Sequence, residues 1–286
     1  MNEGICNGMK IVNKSSFDAF EILNANGQFP CLLVCDHATS DLPARYDNLS
    51  LPDAVLREHI ALDIGIEPVV RKLSSLLDAP AILTRYSRLL IDTNRWIEDP
   101  QSIPLTSDGT SIPGNGNLTA EERLLRQEHY FWPFHSAVHA AVQRLKAQHS
   151  SAYFLALHSC SRQMKTGGYR PMDGGTIWHE RSDFAHRLIA ELTAESSFSI
   201  SDNAPYSGIG GTAFTIDYHT WGTGLAACGL EIVNDGLKTS ADRATWVHLL
   251  AESIGRLVSK PTPQPIWMSR PPQSDQSLDV EPTKGF

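Results

Sequence analysis

Short apolar runs alternate with helix-spaced segments along this chain. Residues 29–34 (FPCLLV) are an uninterrupted apolar run and predict a buried strand. Between residues 53 and 77, Leu56, Ile60, Ile64, Val69 and Leu73 recur at helical spacing. Pro52-Asp53 marks the start of that helix, and Pro68 predicts a kink, because proline removes a backbone donor. Residues 81–84 and 89–91 predict a second strand region. Residues 97–118 are rich in Pro, Gly, Ser, Thr and Asn and predict a long loop, a common setting for binding loops. Thr119 is placed to cap a helix that runs to about residue 148. A strand at 153–157, a loop at 167–175, a helix at 181–195 and a loop at 204–211 follow. A strand at 225–233 and a helix at 241–258 complete the pattern. Strands alternating with helices predict an α/β fold with a mostly parallel sheet.

The chain has 286 residues, enough for one large α/β domain. Its expected limits are a leader at 1–28, a body at 29–260 and a polar, proline-rich tail at 261–286. A formal charge of −8 argues against nucleic-acid binding, which favours a basic stripe. It leaves room for a small anionic substrate, since a local arginine pocket can oppose the global sign. No apolar stretch approaches the roughly 20 residues that cross a bilayer, so no membrane partner is expected. The five cysteines (6, 31, 35, 160 and 228) are odd in number and include no CxxC pair. Reduced thiols fit that spacing, and the N-terminus lacks a signal peptide's apolar core; the expected location is the cytoplasm. Neither GxGxxG nor GxxxxGK[ST] is present, so nucleotide binding has no motif support.

Polar clusters sit where the strands end: Cys35-Asp36-His37, His158-Ser159, Glu231 and the run from Arg88 to Arg95. Strand ends of an open α/β sheet converge on one edge, so these groups can meet. A histidine after a strand is ordinarily a structural hydrogen-bonding residue. Two of them, His37 and His158, make a metal site worth weighing, since a catalytic zinc needs three protein ligands and a water. The third ligand is open at this point. Asp63 lies in the segment HIALDIG, where a buried charge needs a partner. Asp41 also reads as a turn or cap before Pro43, and Asp36 can orient His37 through its other ring nitrogen. In SRLLIDTNR, Arg88, Asn94 and Arg95 offer donors for a carboxylate, although Asp92 paired to an arginine on a surface strand accounts for the same residues. Glu231 interrupts an apolar strand and suits a general base, unless it faces solvent. A Ser159 or Cys160 nucleophile is disfavoured, because adjacent side chains on a strand point apart and no GxSxG elbow exists. His129, His135 and His139 share a helix that lacks the HExxH glutamate and read as a partly exposed face.

Taken together, VCDHATSDLP, HIALDIG, YSRLLIDTNR, LALHSCS and LEIVNDGL, in this order, resemble the N-formylglutamate amidohydrolase family over residues 29–258. The resemblance implies a zinc-carboxypeptidase-like fold, a three-layer α/β/α sandwich around a mixed, mostly parallel sheet. It implies one Zn2+ per chain, or another divalent metal, on His37, Asp63 and His158, and Glu231 as the general base. Arg88 would polarise the scissile carbonyl, and Asn94 and Arg95 would hold the substrate's α-carboxylate. Ser40 stands where zinc carboxypeptidases carry an acidic ligand, which leaves Asp63 against Asp41 for the third position. A second substrate carboxylate needs another cation; Arg85, Arg162, Lys165 and Arg170 are the candidates, with Arg162 and Arg170 favoured because they follow the His158 strand into a loop. The expected reaction is hydrolysis of N-formyl-L-glutamate to formate and L-glutamate. The alternatives are a related amidase or carboxypeptidase acting on another acylated amino acid or small peptide, and a non-catalytic metal or amino-acid binder.

Overall fold

The five residues of Cys31–Cys35 are all fully buried, because both faces of the strand they form are covered. The computed structural model describes residues 17–260. The strands are β1 (Phe20–Leu23), β2 (Cys31–Cys35), β3 (Ala81–Thr84), β4 (Thr106–Ser107), β5 (Thr110–Ser111), β6 (Tyr153–Cys160), β7 (Gly174–Ile177), β8 (Ile200–Ser201) and β9 (Ala226–Val233). The helices are α1 (Asp53–Leu56), α2 (Ile66–Leu77), α3 (Ala120–Arg126), α4 (Trp132–Gln148), α5 (Asp183–Ala194), α6 (Phe214–Thr220) and α7 (Ser240–Ser259). Seven strands form one sheet in the order β1-β3-β2-β6-β9-β7-β8, and β4 and β5 make a separate hairpin. The β3, β2, β6 and β9 strands are parallel neighbours; β1 and β7 run antiparallel to β3 and β9. The mixed, mostly parallel sheet of the expected three-layer sandwich is thus present.

Alternation along each strand divides the core between two layers. Leu33, Leu155 and Leu230 pack with α2, α5 and α7 on one face. Leu32, Val34, Phe154 and Ala156 pack with α4 and Ile216 of α6 on the other. From β2 the chain first builds β3 on one side and later returns to place β6 on the other. The crevice at such a reversal, beyond the carboxyl ends of the strands, is where open α/β sheets bind ligands.

Several expectations are corrected. The helix over 53–77 is two helices, broken at 57–65 rather than kinked at Pro68. Pro68 lies in the first turn of α2, where its missing N–H is not needed. The break falls at Gly65, whose φ is +81°; a Cβ there would lie 2.7 Å from the Leu237 Cβ. Asp63 is consequently in the connection and not on an amphipathic helix. Residues 89–91 form a buried turn instead of a strand. Their apolar side chains fill a satellite core with Tyr86 and Phe131. That turn is held from outside by Arg126, itself buried, which donates to the Leu90 carbonyl and to Asn115 Oδ1.

The helix after Thr119 begins as expected, with Thr119 Oγ1 accepting from the Glu122 amide at 3.2 Å, but carries one π turn at Gln127–Phe131. Residues 20–23 of the expected leader belong to the sheet as β1; residues 1–16, with Cys6, and the tail at 261–286 lie outside the described residues. The other four cysteines are free and buried. Among the described residues no helix is long and apolar enough to cross a membrane.

Candidate active site

The carboxyl ends of β2, β6 and β9 deliver Asp36-His37, His158 and Glu231 to the crevice. The connection before α2 brings Asp63 beside them, its amide donating to the His37 carbonyl at 3.0 Å. His37, Asp63 and His158 are buried, and each offers a ligand atom within 4.8 Å of the others. Both imidazoles turn Nδ1 toward Asp63: His37 Nδ1 is 3.4 Å from Oδ1 and His158 Nδ1 is 2.9 Å from Oδ2. Each then turns Nε2 on a different aspartate. His37 Nε2 lies 2.8 Å from Asp92 Oδ1, and His158 Nε2 lies 3.3 Å from Asp36 Oδ2. A carboxylate behind the ring fixes Nε2 as the proton carrier when Nδ1 holds a metal. The expectation that Asp36 orients His37 is corrected: Asp92 backs His37, and Asp36 backs His158. Asp41 is exposed, in the turn that accepts the Ser87 amide, and takes no part in the cluster.

The electrostatics favour positive charge at the centre. Burial works against the ionised carboxyl of Asp63, yet His37 and His158 hold it well below the usual range. Burial likewise opposes ionisation of Asp92 and Asp36, and is outweighed by Arg88 and His37 at the first and by His158 at the second. For His158, burial is outweighed by Asp36 and Asp63, so its pKa is raised. Buried aspartates held ionised around imidazoles are a donor set suited to a divalent ion. His37 Nδ1 accepts and donates no hydrogen bond, as a nitrogen kept for a metal should.

Glu231 is the register partner of His158 on the neighbouring strand and is buried, so it does not face bulk solvent. Its Oε2 has no hydrogen-bond partner, and burial raises its pKa against the pull of His158. A carboxylate that gains a proton readily, next to a metal-type cluster, is a fit general base. Arg88 spends Nε and Nη2 on Asp92 Oδ2, at 3.0 and 2.6 Å, and Nη1 lies 3.6 Å from Asp63 Oδ1.

A cavity of about 360 Å³ is lined by His37, Asp63, Arg88, Asn94, Arg95, His158, Arg170 and Glu231, but not by Arg162 or Asp41. Asn94 is fixed there by its Oδ1, which accepts the Thr215 amide at 3.1 Å. Arg95 is more loosely held, 3.9 Å from Asp99. Arg170 donates to the Tyr206 hydroxyl at 3.0 Å and to the Ser161 carbonyl at 2.9 Å. Arg162 is committed elsewhere: it pairs with Asp235 and Asp173 and donates to the carbonyls of Arg170 and Met172. Ser159 donates its hydroxyl to the Ile64 carbonyl, and burial pushes the Cys160 thiol up to about 12. Neither is an activated nucleophile.

Sequence reasoning missed two contributors. Asp92 is read from sequence only as an arginine partner, whereas it joins Arg88 to His37. Thr215 carries no sequence signal at all and enters the site because α6 packs over β6 and β9.

The expected exposed histidine face is also corrected at one position: His135 is buried. Its Nε2 donates to the Thr93 carbonyl at 3.0 Å, so its Nδ1 is the acceptor for His219 Nε2, also at 3.0 Å. Burial lowers the His135 pKa to about 4, and burial with His135 beside it lowers that of His219 to about 3. Because the unfolded chain takes up these protons near pH 6.5 and the folded one does not, stability is lost as pH falls from about 6.5 toward 4. In urea titrations, the loss over that window is expected to be smaller by about 3 kcal/mol in His135→Gln than in the wild type. Equal slopes for both proteins would show that His135 does not stay neutral.

A model of the N-formylglutamate amidohydrolase family matches residues 29–237. Among solved structures, a gene product of Agrobacterium tumefaciens is 30% identical, with a TM-score of 0.80 over 85% of this chain and 95% of that one. The N-formylglutamate amidohydrolase of Ralstonia eutropha is 18% identical, with a TM-score of 0.65 over 84% of this chain and 97% of that one. No curated protein matches the sequence.

Proposed function

The chain belongs to the N-formylglutamate amidohydrolase family, and from that premise we propose that it is a zinc-dependent hydrolase of N-acyl amino acids, with N-formyl-L-glutamate as substrate. The observation that carries this reading is the buried His37–Asp63–His158 cluster with Glu231 paired across the strands beside it. His37, Asp63 and His158 would hold the metal. A bound zinc supplies Lewis acidity, polarising the acyl carbonyl and lowering the pKa of water at the site. Glu231 takes the proton of the attacking water and passes it to the leaving amine. Arg88, fixed by Asp92, places positive charge where the carbonyl oxygen becomes negative; such preorganised charge is a large term in acyl transfer. Arg95 and Asn94 bind the α-carboxylate and supply orientation. Arg170 binds a second carboxylate, and Arg162 supports it by holding its carbonyl. The free buried thiols support a reducing, cytoplasmic setting.

A second reading, hydrolysis of an N-acyl amino acid with an apolar group, is favoured by Ile177, Ala213, Ile216 and Gly229, which line the cavity alongside Glu231. Elemental analysis with formate release from N-formyl-L-glutamate, with and without chelator, tests the first reading. It is expected to give about one zinc per chain and chelator-sensitive release. Metal without formate, but with turnover of N-acyl leucine or phenylalanine, would select the second. Stoichiometric metal with no turnover of any N-acyl amino acid would select a binding protein.

A further inference from the structure

The aspartate behind His158 is itself held by three threonines from three separate elements. Thr84, at the end of β3, donates its hydroxyl to the Asp36 carbonyl at 2.8 Å, and Thr93 donates to the same oxygen at 3.2 Å. Thr215, in the first turn of α6, donates to the side chain, Oγ1 to Asp36 Oδ1 at 2.6 Å. The whole residue is buried, and its other oxygen, Oδ2, has no hydrogen-bond partner and faces His158 Nε2. A buried carboxylate served by one hydroxyl is a poor source of stability, because desolvation costs more than a single bond returns. Its orientation has a use: with Oδ1 occupied by Thr215, Oδ2 is the oxygen left for the His158 ring.

We propose that Asp36 and Thr215 are positioning residues for His158, with Thr215 setting the Asp36 rotamer and Asp36 fixing Nε2 as the protonated nitrogen of the ring. Nδ1, on the side of Asp63, would then be the nitrogen left to offer its lone pair to a metal. Thr215 belongs to a helix that supplies no metal ligand; α6 reaches the site through Asp36, through the amide it gives to Asn94, through a 3.3 Å contact of the Thr215 hydroxyl with the Thr93 carbonyl, and through Ile216 in the cavity wall. The proposal rests on the metal reading above, and not on the choice of substrate.

The test is zinc affinity by competition with a chromophoric chelator, in the wild type, Thr215→Val, Thr215→Ser and Asp36→Ala, with thermal unfolding as the control for folding. Thr215→Val is nearly isosteric and removes only the hydroxyl. It is expected to weaken zinc binding about tenfold, Asp36→Ala about a hundredfold, and Thr215→Ser to restore wild-type affinity. In the zinc-loaded wild type, the His158 Nε2 proton should appear as a slowly exchanging downfield resonance, and in Thr215→Val it should exchange faster. A folded Thr215→Val with wild-type affinity and an unchanged resonance would overturn the proposal while leaving the metal site intact. Should Asp36→Ala fail to fold, the valine and serine variants decide alone. Absence of zinc from the wild type would overturn this proposal and the metal reading together. Zinc weakened as expected, in a protein that hydrolyses no formylated substrate, would overturn only the substrate assignment.

Discussion

Glu231→Gln is expected to keep zinc at wild-type stoichiometry and to lower kcat about a thousandfold, within the range for loss of a general base. The amide has the same shape and cannot take a proton, so the cavity is preserved and only the proton transfer is lost. Glu231 is not one of the three clustered metal-type residues, which is why the ion should stay. Its Oε2 makes no hydrogen bond that the substitution could break, so the fold should be unaffected. Formate-release kinetics and metal content on the same preparation check both halves. The fall should appear in kcat and kcat/KM alike, because the lost interaction exists in the transition state and not in the bound substrate. Turnover within tenfold of the wild type would place the base elsewhere.

His37→Ala and His158→Ala are each expected to lower zinc affinity by more than about 100-fold, beyond the penalty for removing a group that only supports a ligand. The two should differ in stability. Without His37, Asp92 keeps both its bonds from Arg88, and Asp63 keeps His158 and the Ser159 amide. Without His158, Asp36 keeps a single side-chain bond, from Thr215, and loses the imidazole that faces Oδ2 at 3.3 Å and helps hold its carboxyl ionised. A buried carboxylate stripped of its facing charge is the costlier remnant, so His158→Ala is expected to be the less stable variant by about 1–3 kcal/mol. Metal titrations and urea unfolding on the purified variants check this, and stoichiometric zinc in both would remove the basis of the metal site.

The strands that carry the site were legible because they are buried on both faces: β2, β6 and β9 read as continuous apolar runs. Chemistry at their ends could therefore be located from the sequence. The short strands were not legible. Ile200–Ser201 is too brief to show a period, and Gly174–Ile177 opens with two glycines that weaken any strand signal. Residues 89–91 look like a strand because they are apolar, and they are apolar because they fill a core under the turn, which is a tertiary cause. Asp63 is legible as a residue, but its setting is not: Leu56, Ile60 and Ile64 keep a four-residue step that suggests a helix, and the only sign of the break is the five-residue step from Ile64 to Val69 across Gly65. The pairing of aspartates to histidines was beyond sequence reasoning. Asp36 adjoins His37 in the chain, yet the end of β2 carries it toward β6, and the partner of His37 comes from a turn 55 positions on.

The reversal of strand order between the parallel neighbours β2 and β6 has a consequence for how tightly the molecule is tied together. The two imidazoles stand on opposite arms of the sheet, one continuing toward β3 and β1, the other toward β9, β7 and β8. An ion gripped by both would act as a clasp over the central seam, sharing the load with the β2–β6 backbone ladder. A chain severed within residues 97–118 would leave one imidazole on each piece, so rejoining of the pieces would itself be driven by the metal.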